Sequence, residues 1–247
     1  MKFRLLTYNL RRGGRGREAA LARVISACAP DLVILQEATS PSSVAHIAGA
    51  CGMTEWGSRA GKSLGFMSRA AVRAHEWHQP RGSRHAFLEL ILGDGATRVF
   101  GVHLAAVHSA WTERRRLRDL RALLHGIRDH QHGPHVLAGD FNTLAPGELL
   151  DIRKLPYRLR TLVWLSGGRI QWQTIKAILA ANYADGFRLL HPDRSGVTFP
   201  TWAPHIRLDY VFLPQPLAGR LRACDVVTDH GAPEASDHFP LVADLDL

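Results

Sequence analysis

Polar clusters at the ends of short apolar runs constrain this 247-residue chain more than any other feature. Tyr8-Asn9, Gln36-Glu37, His103, Gly139-Asp140-Phe141-Asn142 and Ser236-Asp237-His238 each follow or end such a run, and Arg207-Leu208-Asp209-Tyr210 enters one. Polar groups beside buried strands are costly unless they are paired or bind an ion. One such residue is an ordinary turn or cap. A recurrence along the whole chain points instead to a shared site at one edge of the sheets.

The runs themselves read as strands. Phe3 to Tyr8 is the first, Glu18 to Ala29 is a helix with Leu21, Val24, Ile25 and Cys28 on one face, and Leu32 to Leu35 is a buried strand. Further strands are expected over 64–68, 85–92, 99–104, 135–138, 208–213, 223–228 and 239–245. Many strands and few helices predict layered sheets with helices outside. No repeat, low-complexity tract or long linker divides the chain, so residues 1–247 read as one domain.

Two basic helical segments stand out. Over 112–129, Leu117, Leu120, Leu124 and Ile127 recur at helical spacing while Arg114, Arg115, Arg118, Arg121 and Arg128 populate the other sides. That pattern fits a solvated outer face or a surface that tracks phosphates. The second helix, over 171–181, lies in a basic excursion at about 148–183 that carries Tyr157, Trp164 and Trp172 among its arginines and lysines. Such a mixture can grip phosphates and stack bases, or simply cover a sheet edge. Gly13-Gly14-Arg15-Gly16 reads as a flexible loop that matches neither phosphate-binding glycine motif.

The net charge of +9 attracts polyanions: nucleic acid, polyphosphates and acidic membrane surfaces. The three cysteines are odd in number and show no CxxC spacing, so neither a disulfide framework nor a thiolate zinc site is indicated, and a reducing compartment fits best. The N-terminus lacks the apolar stretch of a signal peptide and no run is long enough for a membrane span, so a cytoplasmic protein without a membrane anchor is expected. No stable protein partner is evident.

The clusters share a chemistry. Phosphoester hydrolysis needs neutralisation of the phosphate, a base for water and stabilisation of the leaving oxygen. Oxygen ligands such as Glu37, Asn9 and Asp237 suit a hard cation like Mg²⁺, with Mn²⁺ as a substitute. A histidine held by a carboxylate, His238 with Asp209, makes an oriented base.

In chain order, Thr7-Tyr8-Asn9, Gln36-Glu37, Gly65-Phe66-Met67-Ser68-Arg69, Val102-His103-Leu104, Gly139-Asp140-Phe141-Asn142, Arg207-Leu208-Asp209-Tyr210 and Ser236-Asp237-His238-Phe239-Pro240 resemble the motifs of the endonuclease/exonuclease/phosphatase superfamily. This superfamily includes exonuclease III-like and deoxyribonuclease I-like nucleases, inositol polyphosphate 5-phosphatases, neutral sphingomyelinases and tyrosyl-DNA phosphodiesterases. The resemblance implies an α/β four-layer sandwich, two mixed β-sheets packed face to face and flanked by helices, with the active site at one end. It implies Glu37 as principal metal ligand with Asn9 beside it, and Asp237 at a second metal position or an outer-shell water. Asp209 would orient His238, which binds phosphate and shares in acid–base work. Asp140 would polarise water, Asn142 would donate to the phosphoryl oxygen and His103 would contact phosphate. Substrate contacts would fall to Arg69, Trp202 and Arg207.

Other residues read as structural: Met53, Met67 and the tryptophans besides Trp202 as packing, and His125, His130, His132 and His135 as exposed spacers around Gly133-Pro134. Three functions remain open. The first is a metal-dependent nuclease or DNA-end-processing phosphodiesterase, with nucleic acid, DNA foremost, as substrate. The second is a hydrolase of small or lipid phosphoesters, for which no extra basic recognition motif is visible. The third is a catalytically silent nucleic-acid-binding protein.

Overall fold

Period-two burial sets the architecture of this chain, whose computed structural model describes residues 2–81, 83, 85–106, 109–128, 133–148, 153, 160 and 172–247. In β1 (Lys2–Asn9) Phe3 and Leu5 face one apolar cluster while Leu6 and Tyr8 face another. In β2 (Leu32–Gln36) Leu32 and Ile34 join the first cluster, Val33 and Leu35 the second. Successive side chains on a strand point to opposite faces, so these strands are buried on both sides.

The remaining strands are β3 (Glu55–Ser58), β4 (Gly65–Ser68), β5 (Val72–His78), β6 (Phe87–Leu92), β7 (Arg98–His103), β8 (His135–Asp140), β9 (Tyr183–Asp185), β10 (Asp209–Pro214), β11 (Leu221–Val226) and β12 (Leu241–Asp246). They form two six-stranded sheets among the described residues, ordered β11-β12-β1-β2-β4-β3 and β5-β6-β7-β8-β10-β9. Each sheet has one parallel pair near its centre, β1 with β2 and β7 with β8, and its other pairings are antiparallel.

The first cluster lies between the sheets. Leu5, Ile34 and Phe66 of one sheet meet Leu88, Val136, Ala138 and Val211 of the other. The approach is close at Gly101, where a Cβ would lie 3.0 Å from Ile34 Cγ2. On the outer face of the first sheet pack α1 (Glu18–Cys28) and α2 (Pro41–Ala50), through Leu21, Ile25, Val44 and Ile47. On the outer face of the second pack α3 (Ala110–Gly126) and α4 (Gln173–Ala180), through Leu120, Leu123, Ile175 and Ile178 against Phe100, Val102, Leu137 and Phe212. The result is the expected α/β four-layer sandwich. Two short helices join these, α5 (Gly186–Leu190) after β9 and α6 (Ala232–Ala235) between β11 and β12.

Local chemistry starts the helices. The Ser40 hydroxyl accepts from Ser43 N–H at 3.4 Å with Pro41 in the first turn of α2, and Ser109 and Thr112 form a capping box at α3. The Gly13-Gly14 segment is not a flexible loop: both glycines are buried in a tight turn at φ 77° and 71°. A Cβ on Gly14 would meet the Leu21 side chain at 2.9 Å. The basic excursion falls mostly on 149–171, of which only residues 153 and 160 are described, so the expectation for it lies outside the described residues. Its described end is α4.

Gly139 is the tightest steric point of the parallel pair β7–β8, since a Cβ there would lie 1.9 Å from the Val102 carbonyl oxygen. Gly139→Ala is therefore expected to destabilise the fold by about 2–4 kcal/mol in urea unfolding, in the range of severe backbone conflicts.

Candidate active site

The strand periodicity that builds the inter-sheet core also builds the site. On β1 the inward row is Phe3, Leu5, Thr7 and then Asn9; on β8 it is Val136, Ala138 and then Asp140. On β7 it ends at His103, and on β10 the row of Val211 and Leu213 begins at Asp209. Apolar side chains fill these rows through the sandwich, and polar ones occupy the final position at one end. Parallel pairing places Asn9 beside Gln36 and His103 beside Asp140, and antiparallel pairing places Asp209 opposite Asp140.

Asp140 is the hub. It is buried, its Oδ1 accepts from Asn142 N–H at 2.9 Å, and its Oδ2 accepts from Asn9 Nδ2 at 3.1 Å across the gap between the sheets. The same Oδ2 lies 3.8 Å from His103 Nε2 and 3.8 Å from His238 Nε2. His238 Nδ1 donates to Asp209 Oδ2 at 2.9 Å, while Asp209 Oδ1 is buried and, among the described residues, has no hydrogen-bond partner. Glu37 Oε1 is 3.5 Å from Asn9 Nδ2, and its Oε2 accepts from Arg12 N–H at 2.5 Å. Glu37 and Asn142, both non-glycine, sit at φ 52°. Backbone held in the left-handed region is costly and is maintained only where its surroundings fix it.

Electrostatics sort the three ionisable groups around the hub. Burial raises the Asp140 carboxyl above its ordinary range, against the His238 cation and with help from Asp209. Burial would lower His238, but the Asp209 and Asp140 carboxylates and the hydrogen bond to Asp209 outweigh it and push the imidazole up to about 9. His103 moves the other way, lowered to about 3 by burial and by His85 and His238, so its approach to Asp140 is that of a neutral ring and not an ion pair. Its Nδ1 is engaged with the Ser63 hydroxyl. Asp140, Asp209 and His238 bring ligand-capable atoms within 4.8 Å of one another, close enough to share a metal ion.

Sequence reasoning missed several groups that hold this arrangement. The Arg17 guanidinium gathers the carbonyls of Leu10, Arg11 and Ala235, tying the loop after β1 to the helix before Ser236-Asp237-His238. The Ser236 hydroxyl donates to the Asn9 carbonyl at 2.6 Å. Behind Asn142, the buried Arg116 donates to Glu113 at 2.9 Å and to the Ala105 carbonyl, and Glu113 accepts from Thr143 and from the first turn of α4. Ser236 stands in the Ser236-Asp237-His238 motif without a role having been expected for it, and the others carry no local motif, so the tertiary packing reveals these contacts.

The sequence profile of the Endonuclease/Exonuclease/phosphatase family matches residues 6–238. The chain belongs to this family. No functionally curated protein matches its sequence. Among solved structures, an AP endonuclease from Archaeoglobus fulgidus is similar at 19% identity and TM-score 0.77, covering 99% of this chain and 100% of its own. A 3′-5′ exonuclease (NExo) from Neisseria meningitidis is similar at 20% identity and TM-score 0.75, covering 99% of this chain and 100% of its own. TDP2 from D. rerio, complexed with a single-strand DNA product, is similar at 18% identity and TM-score 0.69, covering 100% of this chain and 99% of its own. At these identities the likeness shows that the family's fold is shared.

Within this family member, Asn9, Glu37, His103, Asp140, Asn142, Asp209 and His238 converge. Asp237 lies at the margin, ion-paired with Arg11 at 3.3 Å. Trp202 is 65% exposed, on a loop whose Thr201 N–H donates to the Asp237 carbonyl, with the Arg11 guanidinium 5.7 Å from its ring. Two expected substrate contacts are not brought to the site. Arg69 follows β4 at the end that pairs with the start of β2, where it donates to the carbonyls of Pro30 and Cys51. Arg207 is 1% exposed and donates to both oxygens of Asp185, at 2.9 and 2.6 Å, and to Glu148 at 2.8 Å. A guanidinium sealed between two carboxylates is a structural clamp. Asn142 gives one amide N–H to the Leu104 carbonyl at 3.0 Å. His135, expected as an exposed spacer, is buried between Gly133 O and Tyr183 Oη, while residues 129–132 lie outside the described residues.

Arg207→Leu should cost about 3–5 kcal/mol in urea unfolding, because it leaves Asp185 and Glu148 without their buried cation. The His238 proton gives a second expectation. Its pKa is about 9 folded against an ordinary imidazole value of about 6.5, so its stabilisation is complete below pH 6.5 and is lost as the pH rises through 9. In chelator-treated protein the urea midpoint should fall from pH 7 to pH 10, and less so in His238→Gln.

Proposed function

We propose that the chain is a divalent-metal-dependent phosphodiesterase that processes nucleic acid, DNA ends foremost, with Mg²⁺ or Mn²⁺ as its ion. The observation that carries this reading is the convergence on Asp140 of an amide, a neutral histidine and a cationic histidine, contributed by segments spread from Asn9 to His238. The family match, the structural likeness to DNA-processing proteins and the net charge of +9 support it.

The donor set fits a hard cation. Glu37 and Asp140 supply carboxylate oxygens, the Asn9 amide gives its Nδ2 hydrogens to both while its Oδ1 accepts from Arg11 N–H at 2.9 Å, and among the described residues the buried Asp209 Oδ1 has no hydrogen-bond partner. His238 suits that role poorly, since its Nδ1 proton is given to Asp209 and its positive charge repels a cation. Glu37 is therefore the proposed principal ligand, with Asn9 beside it through an amide turned to present its oxygen to the ion, and Asp237 in an outer position. A bound ion would neutralise phosphate charge and stabilise the leaving oxygen.

The chain's own residues supply the rest. Asp209 fixes the His238 ring so that Nε2–H points toward the side of Asp140, where it can donate to a phosphoryl oxygen bound beside that carboxylate. Asp140, with Oδ1 held by Asn142 and Oδ2 by Asn9, keeps a fixed lone-pair direction for polarising water, and its raised pKa makes it a stronger base. His103, neutral and anchored through Ser63, offers a second contact to phosphate. Asn142 retains a second amide hydrogen for charge that builds on the phosphoryl oxygen. Trp202 with Arg11 forms an exposed aromatic–cation rim suited to a base and its phosphate.

Purified protein should cleave single-stranded DNA, duplex DNA or RNA when Mg²⁺ is supplied, lose this in EDTA and regain it with Mg²⁺ or Mn²⁺. Glu37→Ala and His238→Ala should each lower kcat by at least ~10²-fold, the lower range of acid–base contributions. Hydrolysis of every nucleic acid no faster than in the double variant, with release of phosphate from inositol phosphates or sphingomyelin instead, would assign the site to small or lipid phosphoesters.

A further inference from the structure

One row of side chains on α3 is left in solvent. Trp111, Arg114, Arg118, Arg121 and His125 are all exposed and recur at alternating three- and four-residue steps, which align them along one face of the helix. Trp111, which the sequence suggested as packing, is 65% exposed. The two acids of this helix, Glu113 and Asp119, are buried on its other side, so no carboxylate of α3 neutralises the row. Among the described residues, Arg114, Arg118 and Arg121 form no hydrogen bond or ion pair.

This arrangement works against the helix. Cations at these spacings repel one another, and those in the first turns oppose the helix dipole. A face that serves only solubility mixes signs to avoid both effects. A polyanion removes them, and the length matches one: at about 1.5 Å per residue the helix runs about 25 Å. Its origin is also informative. The helix begins shortly after β7, whose last residue is His103, and it must run back along the sheet to reach the parallel strand β8. The row therefore starts with Trp111 at the end of the sheet that holds the site and leads away down the outer face.

We propose that this row is a docking track for the backbone of a single nucleic-acid strand, with Trp111 stacking on an unpaired base where the strand leaves the site. A row one side chain wide follows one backbone, and an exposed indole needs a free base face, which a duplex does not present. The inference rests on the nucleic-acid reading above and adds where a strand lies beyond the reacting bond.

The test is binding of a fluorescein-labelled 20-nucleotide single strand and the matching duplex, in EDTA, across a salt series. The combined variant Arg114→Gln/Arg118→Gln/Arg121→Gln should reduce the slope of log K against log[salt] by about 2, from about 0.7 per phosphate contact on single strands. Its thermal midpoint should equal or exceed that of the unaltered protein, since like charges are removed. Trp111→Ala should weaken single-strand binding about tenfold and leave duplex binding unchanged. An unchanged slope, an equal effect of Trp111→Ala on the duplex, or an equal loss of poly-glutamate binding would overturn the track. Because binding is read without turnover, a chain that shows the slope change but hydrolyses no nucleic acid keeps the track and loses the hydrolase reading. A chain that hydrolyses with an unchanged slope loses only the track.

Discussion

The hydrogen bond from the Asn9 amide to the Asp140 carboxylate joins the two sheets at the point where their shared core ends. Both residues occupy the last inward position of a strand whose earlier inward positions are filled by core side chains. Sheet packing thus delivers them to each other, and the distance between them depends on the close approach of the sheets at Gly101 and on the register of β7 against β8 at Gly139. The contact of Ser63 with His103 and that of Ser236 with the Asn9 carbonyl close the same end of the sandwich. The site is the polar termination of the hydrophobic core.

Charge is handled in two ways within this framework. Away from the reacting groups, two buried guanidiniums are paired with carboxylates, Arg207 with Asp185 and Glu148 and Arg116 with Glu113, while among the described residues the buried Asp119 carboxylate has no hydrogen-bond partner. Around Asp140 the pairing is incomplete, with contacts to the two histidines at 3.8 Å and one orphaned oxygen on Asp209. Burial lowers the proton affinity of both histidines, and the carboxylates Asp209 and Asp140 outweigh it at His238 alone, which separates a neutral His103 from a cationic His238 a few ångströms away. The same scaffold that locks Arg207 as a clamp leaves this cluster free to bind.

Much was legible in the chain beforehand because it is periodic. The first helix, the buried strands and the motif order follow from local pattern, and the convergence of Glu37, Asp140, Asn142, Asp209 and His238 on one edge follows from their positions at strand ends. The short strands β3 and β9, the edge strand β5 and the helix α2 were not foreseen, since Glu55–Ser58 and Tyr183–Asp185 are too short to show a period, Val72–His78 is exposed over Arg73 to Glu76 and shows no apolar alternation, and Pro41–Ala50 carries a weak apolar face. Arg69 and Arg207 lie in recognisable motifs yet serve backbone carbonyls and buried carboxylates. A motif names a residue without saying which way its long side chain turns.

What the sequence alone determined is therefore the layer order, the strand ends and the residue types that meet there, because alternation along a strand is a local property. What only the tertiary structure decided is which polar groups touch: Asn9 with Asp140, Asp209 with His238, Arg17 across two loops, Arg207 away from the site. Those contacts join positions far apart in the chain and depend on sheet spacing and register, which no window of neighbouring residues encodes.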